Sequence, residues 1–271
     1  MKESNAKDKT SYVSKRKMLI LVAAIVLATI GTLIILENEN TEQEQPSLIG
    51  LLLQNSYISF GNNTNTIIVE FTDLACPFSA RFWINTFPKI KENYIDTGKV
   101  LYIVRDYPIP QLHGLNPFYA SQYARCVVKI SGNTDLYNVI ANKLYSDRKS
   151  WVRADYSNLS HYLLNLVSLP ENIHNKVVDC YYYNDTAYDV YLDYQTALSL
   201  QILGTPAFFL LVKEDLLTDE EIKEIKDKLA LYGLNITVIK QEWAGENYYI
   251  IHFLGALPYE AFDYILQRAT S

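Results

Sequence analysis

The alternation of apolar and polar positions divides the chain into a membrane-length apolar run, a polar tether and a long mixed segment. Met18–Leu36, "MLILVAAIVLATIGTLIIL", carries no charged residue. As a helix it extends about 28 Å, close to the roughly 30 Å hydrocarbon core of a bilayer. "ENENTEQEQPS" (Glu37–Ser47) has no apolar period and reads as a solvated tether. From Leu48 onward the period changes repeatedly, as it does in a folded domain of short elements.

"TIIVEFTD" (Thr66–Asp73) is rich in β-branched residues and predicts a buried strand. "PFSARFWINTFPKIKENYI" then places Phe82, Phe87, Ile90 and Tyr94 at mixed helical spacings, with Pro77 suited to the first turn. Gly98 ends that segment and "KVLYIVRDYPI" predicts a second strand. Strand, helix and strand in this order make a βαβ unit with a parallel pair. Helical patterns follow from about residue 116 to about residue 203, at Asp135–Tyr145, Tyr156–Val167 and Pro170–Tyr182 among others. "GTPAFFLLV" returns to strand character. "TDEEIKEIKDKLALYG" predicts a helix capped by Thr218, "NITVIKQ" and "NYYIIHFLG" two more strands, and "PYEAFDYILQRA" a closing helix. The expected fold class is α/β, a small core interrupted by an all-helical insertion of about ninety residues. The expected division is 1–17 cytoplasmic, 18–36 a transmembrane signal anchor, 37–47 a linker and 48–271 the folded domain.

Charge orients this plan. Lys2, Lys7, Lys9, Lys15, Arg16 and Lys17 precede the apolar run, and Glu37, Glu39, Glu42 and Glu44 follow it. The positive-inside rule keeps the N-terminus in the cytoplasm and sends the domain outside, as a single-pass protein of the cell membrane. The apolar run is longer than a signal-peptide core and "LENEN" offers no small-residue cleavage site, so the anchor is expected to be retained. A net charge of -6 without a basic tract argues against nucleic acid. The four histidines are scattered without metal-ligand spacing, and no phosphate-cradling loop is present, so neither a metal nor a cofactor is expected. Most of the tyrosines, including Tyr188, Tyr191 and Tyr194, are read as packing. The charged run near Asp219 is read as a solvated helix face with an i,i+4 pair of Glu224 and Lys228.

Candidate chemistry centres on "EFTDLACPFSARF" (Glu70–Phe82). Cys76 stands at a strand-to-helix junction, where the free N–H groups of a helix start favour a thiolate, the nucleophile of disulfide exchange. A partly exposed sulfur is expected there; a buried structural cysteine is the alternative. Glu70 interrupts an otherwise apolar strand. A carboxylate on the core side is costly without a task, and beside a thiol it can take up or release the exchanged proton; a solvent-facing Glu on an edge strand is the alternative. Cys126 and Cys180 both fall in the helical block. Pairing them leaves Cys76 free and, for a loop of that length, stabilises by about 4 kcal/mol in the chain-entropy model; two separate buried thiols are the alternative.

These segments resemble the DsbA-like branch of the thioredoxin-fold proteins from about Thr66 to about Gln267. "VEFTDLACPFS" is similar to the family's strand and active-site turn, with Glu70 where the family carries an acid. "LGTPAFFLL" is similar to its cis-proline loop, which implicates Pro206 and Thr205. The helical insertion matches in place and length. The resemblance implies a thioredoxin-like fold, and Pro77, Phe78, Thr205 and Pro206 as the residues that meet a client. The departure is Ser79, which stands where the family has its second, resolving cysteine. Phe78 also replaces the histidine common in that position. The implied function is thiol–disulfide exchange by one cysteine, with Cys76, Ser79, Glu70 and Pro206 as site residues. Expected partners are protein or peptide thiols and disulfides outside the membrane, together with a redox recycling partner. A redox-inactive binding or assembly factor on the same fold, or a structural subunit of a membrane complex, is the alternative.

Overall fold

The computed structural model describes residues 46–62, 65–234 and 236–270. The expected anchor at Met18–Leu36 and most of the tether lie outside the described residues. Among the described residues no helix is long and apolar enough to cross a membrane.

The domain opens with α1 (Leu48–Leu53), capped by the Ser47 hydroxyl, and a two-residue strand β1 (Ser59–Phe60). Neither carries a strong periodic signal in the sequence. β2 (Thr66–Thr72) and β3 (Leu101–Asp106) pair in parallel and are joined through helical segments, as the βαβ pattern requires. The expected single helix between them is broken. α2 (Pro77–Asn85) stops at Thr86, α3 (Phe87–Ile90) restarts, and Lys91–Ile95 closes as one π turn. Pro88 has no N–H to give the carbonyl four residues back, which ends the first helix. The Thr86 hydroxyl at the break donates to the Leu257 carbonyl at 2.9 Å. Gly98 takes a positive φ of 73° in the turn that leads into β3, a conformation glycine adopts without a Cβ penalty.

After the short α4 (Pro110–His113), the insertion runs through α5 (Asn116–Ser131), α6 (Asp135–Ser146), α7 (Arg148–Trp151), α8 (Tyr156–Leu164), α9 (Glu171–Tyr182) and α10 (Ala187–Ser199). The chain then returns to the sheet with β4 (Ala207–Lys213), and α11 (Asp219–Ala230), β5 (Thr237–Trp243), β6 (Glu246–Leu254) and α12 (Tyr259–Ala269) complete it. The sheet order is β1-β3-β2-β4-β6-β5, with β4 antiparallel to both β2 and β6.

β2 is buried along its whole length because both faces of the central strands are covered. Ile68, Tyr102, Val104, Phe208 and Leu210 pack with α2, α12 and the insertion. Ile67, Val69, Phe71, Phe209 and Leu211 pack on the other side with α1 and α10. Four buried charges fasten the insertion to the core. Arg105 of β3 donates to Asp193 of α10 at 2.5 Å and to the α1 carbonyls of Leu51 and Leu52. Arg125 of α5 bridges Asp106 of β3 and Asp193. Two cations meet two anions here, so the desolvation cost falls on paired groups.

Two surface expectations are corrected. Glu224 pairs with Arg268 of α12 at 3.4 Å, while Lys228 lies over the Tyr264 ring. Tyr194 does pack, against Tyr107, but Tyr188 and Tyr191 stand 67% and 48% exposed. Their spacing put the three on adjoining faces of α10; only the Tyr194 face meets the sheet.

Candidate active site

β2 ends at Thr72 and the chain turns through Asp73–Ala75 into α2. Cys76 is the N-cap residue of α2, in extended conformation, and Pro77 opens the first turn. Asp73 shapes the turn. Its carbonyl accepts the Cys76 N–H at 2.9 Å, and one carboxylate oxygen accepts the Ala75 N–H at 2.7 Å. Its other oxygen accepts the Ile109 N–H and meets His113 Nδ1, both at 2.8 Å. Arg148 of α7 reaches across from the insertion, and its Nε donates to the Ala75 carbonyl at 2.7 Å. The residue before the cysteine is thus held on both sides, at its N–H by Asp73 and at its carbonyl by Arg148.

Cys76 is only 5% exposed, so the expected partial exposure is corrected. The reason lies in the fold. The loop before β4 closes over the sulfur, and Cys76 Sγ donates to the Thr205 carbonyl at 3.2 Å. The Thr205–Pro206 peptide is cis. Residues 129 apart in sequence therefore meet at one atom pair, with the whole insertion between them. Thr205 and Pro206 are buried, and the Gly255 N–H binds the Pro206 carbonyl. The rim is apolar and open: Phe78 is 53% exposed and Leu203 87% exposed. Pro77 is exposed beside Phe78, and Arg81 lies 5.4 Å over the Phe78 ring.

Ser79 sits at the N3 position of α2, fully buried, and its hydroxyl has no hydrogen-bond partner among the described residues. The Thr205 hydroxyl is in the same condition. Cys126 and Cys180 are joined by a disulfide with Cα atoms 5.8 Å apart, tying α5 to α9; Cys76 is the free thiol.

Glu70 lies in the centre of the sheet, opposite Val104 and Phe208, and is fully buried. Its Oε2 accepts the Tyr102 hydroxyl at 2.7 Å and the Trp83 Nε1–H at 2.9 Å. Burial pushes its carboxyl up to about 7, against the hydrogen bonds from Tyr102, Thr72 and Trp83 that stabilise the charged form. Tyr145 of α6 meets the end of β2 that leads into the active-site turn. Its hydroxyl lies 3.0 Å from the Thr72 hydroxyl. Burial drives its phenol well above the ordinary value, and the charges of Glu70, Asp73 and Cys76 push it the same way.

Asp73, Tyr102, Trp83, Tyr145, His113 and Arg148 are site residues that sequence reasoning did not find. Asp73 had a local signal, an acid in the turn three residues before the cysteine. Tyr145 and Arg148 had none, because the insertion that carries them is placed only by folding.

The comparisons with known proteins bear on family and fold. The sequence model of a family described as thioredoxin matches residues 57–227. A Rickettsia conorii protein provisionally named a protein-disulfide oxidoreductase is 29% identical over 157 residues, covering 57% of this chain and 53% of that protein. A Rickettsia typhi protein with the same provisional name is 34% identical over 89 residues, about a third of each chain. The chain thus spans about half or less of the length of the curated relatives it matches. Among solved structures, Wolbachia pipientis α-DsbA1 superposes with a TM-score of 0.55 at 23% identity, over 80% of this chain and 92% of that one. Salmonella enterica Typhimurium BcfH does so with 0.54 at 16%, over 98% of this chain and all of the other. Both likenesses concern the fold. With that family model spanning well over half its length, the chain belongs to the thioredoxin family, and its fold is DsbA-like.

Proposed function

We propose that the protein carries out thiol–disulfide exchange with a single nucleophile, Cys76, on protein or peptide clients outside the membrane to which residues 18–36 anchor it. The observation that carries this reading is the meeting of Cys76 Sγ with the Thr205 carbonyl at 3.2 Å, beside an apolar rim. An extended client lying along that loop presents its disulfide to the sulfur, with main-chain pairing of the added-strand kind. The Cys76 thiolate attacks one client sulfur and forms a mixed disulfide, and the other client sulfur leaves as a thiolate. Glu70, titrating near 7, takes the thiol proton and returns it later. Tyr145 and Thr72 position the polar route between the two.

Ser79 decides how the mixed disulfide is released. A hydroxyl cannot displace a thiolate, so the bond waits for another client cysteine or for a thiol from a recycling partner. The first route isomerises the client; the second reduces it. The alternative, a scaffold that holds peptides without bond exchange, is favoured by the burial of Cys76. One experiment separates them. Membranes quenched with acid and run on non-reducing gels should show adducts that vanish in Cys76→Ser, and Ser79→Cys should shorten their lifetime. Absence of any Cys76-dependent adduct, even with a reactive disulfide probe, replaces exchange with the scaffold.

A further inference from the structure

A cavity of about 640 Å³ opens beside the active-site turn, lined by Leu112, His113, Gly114, Arg148, Lys149, Val152 and Arg153. That is within the ~300–1,000 Å³ range of small-ligand sites. Two of its walls are attached to the turn that carries Cys76. His113 holds Asp73 at 2.8 Å, and Arg148 holds the Ala75 carbonyl at 2.7 Å. The cavity is therefore built next to the turn that carries the nucleophile.

Its charge is opposite to that of the protein. The chain carries a formal net charge of -6, yet Arg148, Lys149 and Arg153 gather on one wall, and none of the three has a carboxylate partner among the described residues. Neighbouring acids are engaged elsewhere: Asp73 with His113, Asp147 with Ser150 and Tyr162, Asp155 with Asn158. Cations without a carboxylate partner around a concavity favour an anion, and the planar guanidinium groups suit a carboxylate.

Resting on the exchange reading above, we infer that this cavity binds a small carboxylate-bearing thiol, of the class to which glutathione belongs, and that this thiol replaces the resolving cysteine lost at Ser79. The sulfur balance closes with that co-reactant. Its thiolate attacks Cys76 Sγ of the mixed disulfide, the client leaves as a thiolate and takes up a proton, and Cys76 carries the small thiol as a disulfide. A second small-thiol thiolate attacks the sulfur of the first, the symmetrical small disulfide leaves, and Cys76 is free. The client disulfide gains two electrons and two protons, and two small thiols are oxidised. Holding the attacking thiol in the cavity raises its effective concentration beside the bond, as a second cysteine in α2 does in the dithiol relatives.

The test loads Cys76 of the full chain as a pyridyl mixed disulfide and follows thiopyridone release by glutathione, by uncharged 2-mercaptoethanol and by cationic cysteamine. The variant is Lys149→Glu with Arg153→Glu, both exposed positions. A control places the same charge change at Lys223→Glu with Lys226→Glu on α11, which lines none of this cavity. For each thiol the ratio of wild-type to variant rate constants cancels the thiol's own reactivity. Two reversed charges facing a bound carboxylate should slow glutathione about tenfold, leave 2-mercaptoethanol unchanged and speed cysteamine, while the control leaves glutathione unchanged. A glutathione ratio near one, or an equal loss in the control, overturns the inference. If instead a client-length cysteine peptide flanked by glutamates shows the ratio and glutathione does not, the cavity belongs to clients and the small-thiol assignment falls. Failure of the mixed disulfide to form on Cys76 at all overturns the exchange reading and this one with it.

Discussion

Replacing Glu70 by Gln should change how stability depends on pH, by an amount that the structure sets. The carboxyl titrates at about 7 in the folded chain against an ordinary 4.5, chiefly because burial removes water from the charged form. Between those values the folded chain keeps a proton that the unfolded chain releases, so stability falls as pH rises through this window. At about 1.4 kcal/mol per pH unit, the folded state above pH 7 is penalised by about 3 kcal/mol relative to acid. Gln cannot ionise, so Glu70→Gln lacks this slope. It also adds a constant offset: its single carbonyl oxygen can keep the Trp83 and Tyr102 donors, while its amide N–H groups are new donors in a site built to donate to an acid, at about 1–3 kcal/mol. The informative quantity is therefore the change in the difference, not the difference itself. Urea unfolding of both proteins from about pH 4.5 to about pH 8, disulfide intact, measures it, since other titrating groups cancel. The variant should gain about 3 kcal/mol on wild type across the range. A difference flat to within about 0.5 kcal/mol refutes a raised Glu70 carboxyl, and with it the proton acceptor assigned to Cys76.

Asp193→Ala leaves Arg105 and Arg125 buried against a single remaining carboxylate, Asp106, and should cost about 3–5 kcal/mol in denaturant unfolding; a loss under about 1 kcal/mol would mean the network does not fasten the insertion. Opening the Cys126–Cys180 bridge by the double Ala variant should cost about 4 kcal/mol, given a sequence separation of 54. That variant should also leave Cys76-dependent adducts in place at temperatures where it stays folded, and loss of adducts in the folded variant would assign the bridge to the chemistry. Protease added to intact cells should reach the domain beyond Ser47 and leave an N-terminal tag protected; the reverse pattern removes the extracytoplasmic placement.

Local chemistry determined much of this protein without the fold. The β-branched run at Thr66–Asp73, the 3.6-residue patterns of the insertion, the first-turn Pro77 and the cap at Thr218 depend on neighbours a few residues away, and β2, α2, α5, α6, α8–α10 and α11 form where those signals stand. Cys76 at the start of α2 and Glu70 within β2 were equally legible, because a strand-to-helix junction and an acid in an apolar run are local facts. What the sequence left open was decided by contacts between distant segments. The covering of Cys76 by the Thr205 loop, the Tyr102 and Trp83 donors on Glu70, and Arg148 on the Ala75 carbonyl join residues 13 to 129 positions apart. Their energy comes from burial and hydrogen bonding that exist only after these distant segments have packed together. The exposure of Tyr188 belongs to the same class: periodicity assigns a residue to a helix face, and only the tertiary structure decides whether that face meets protein or water.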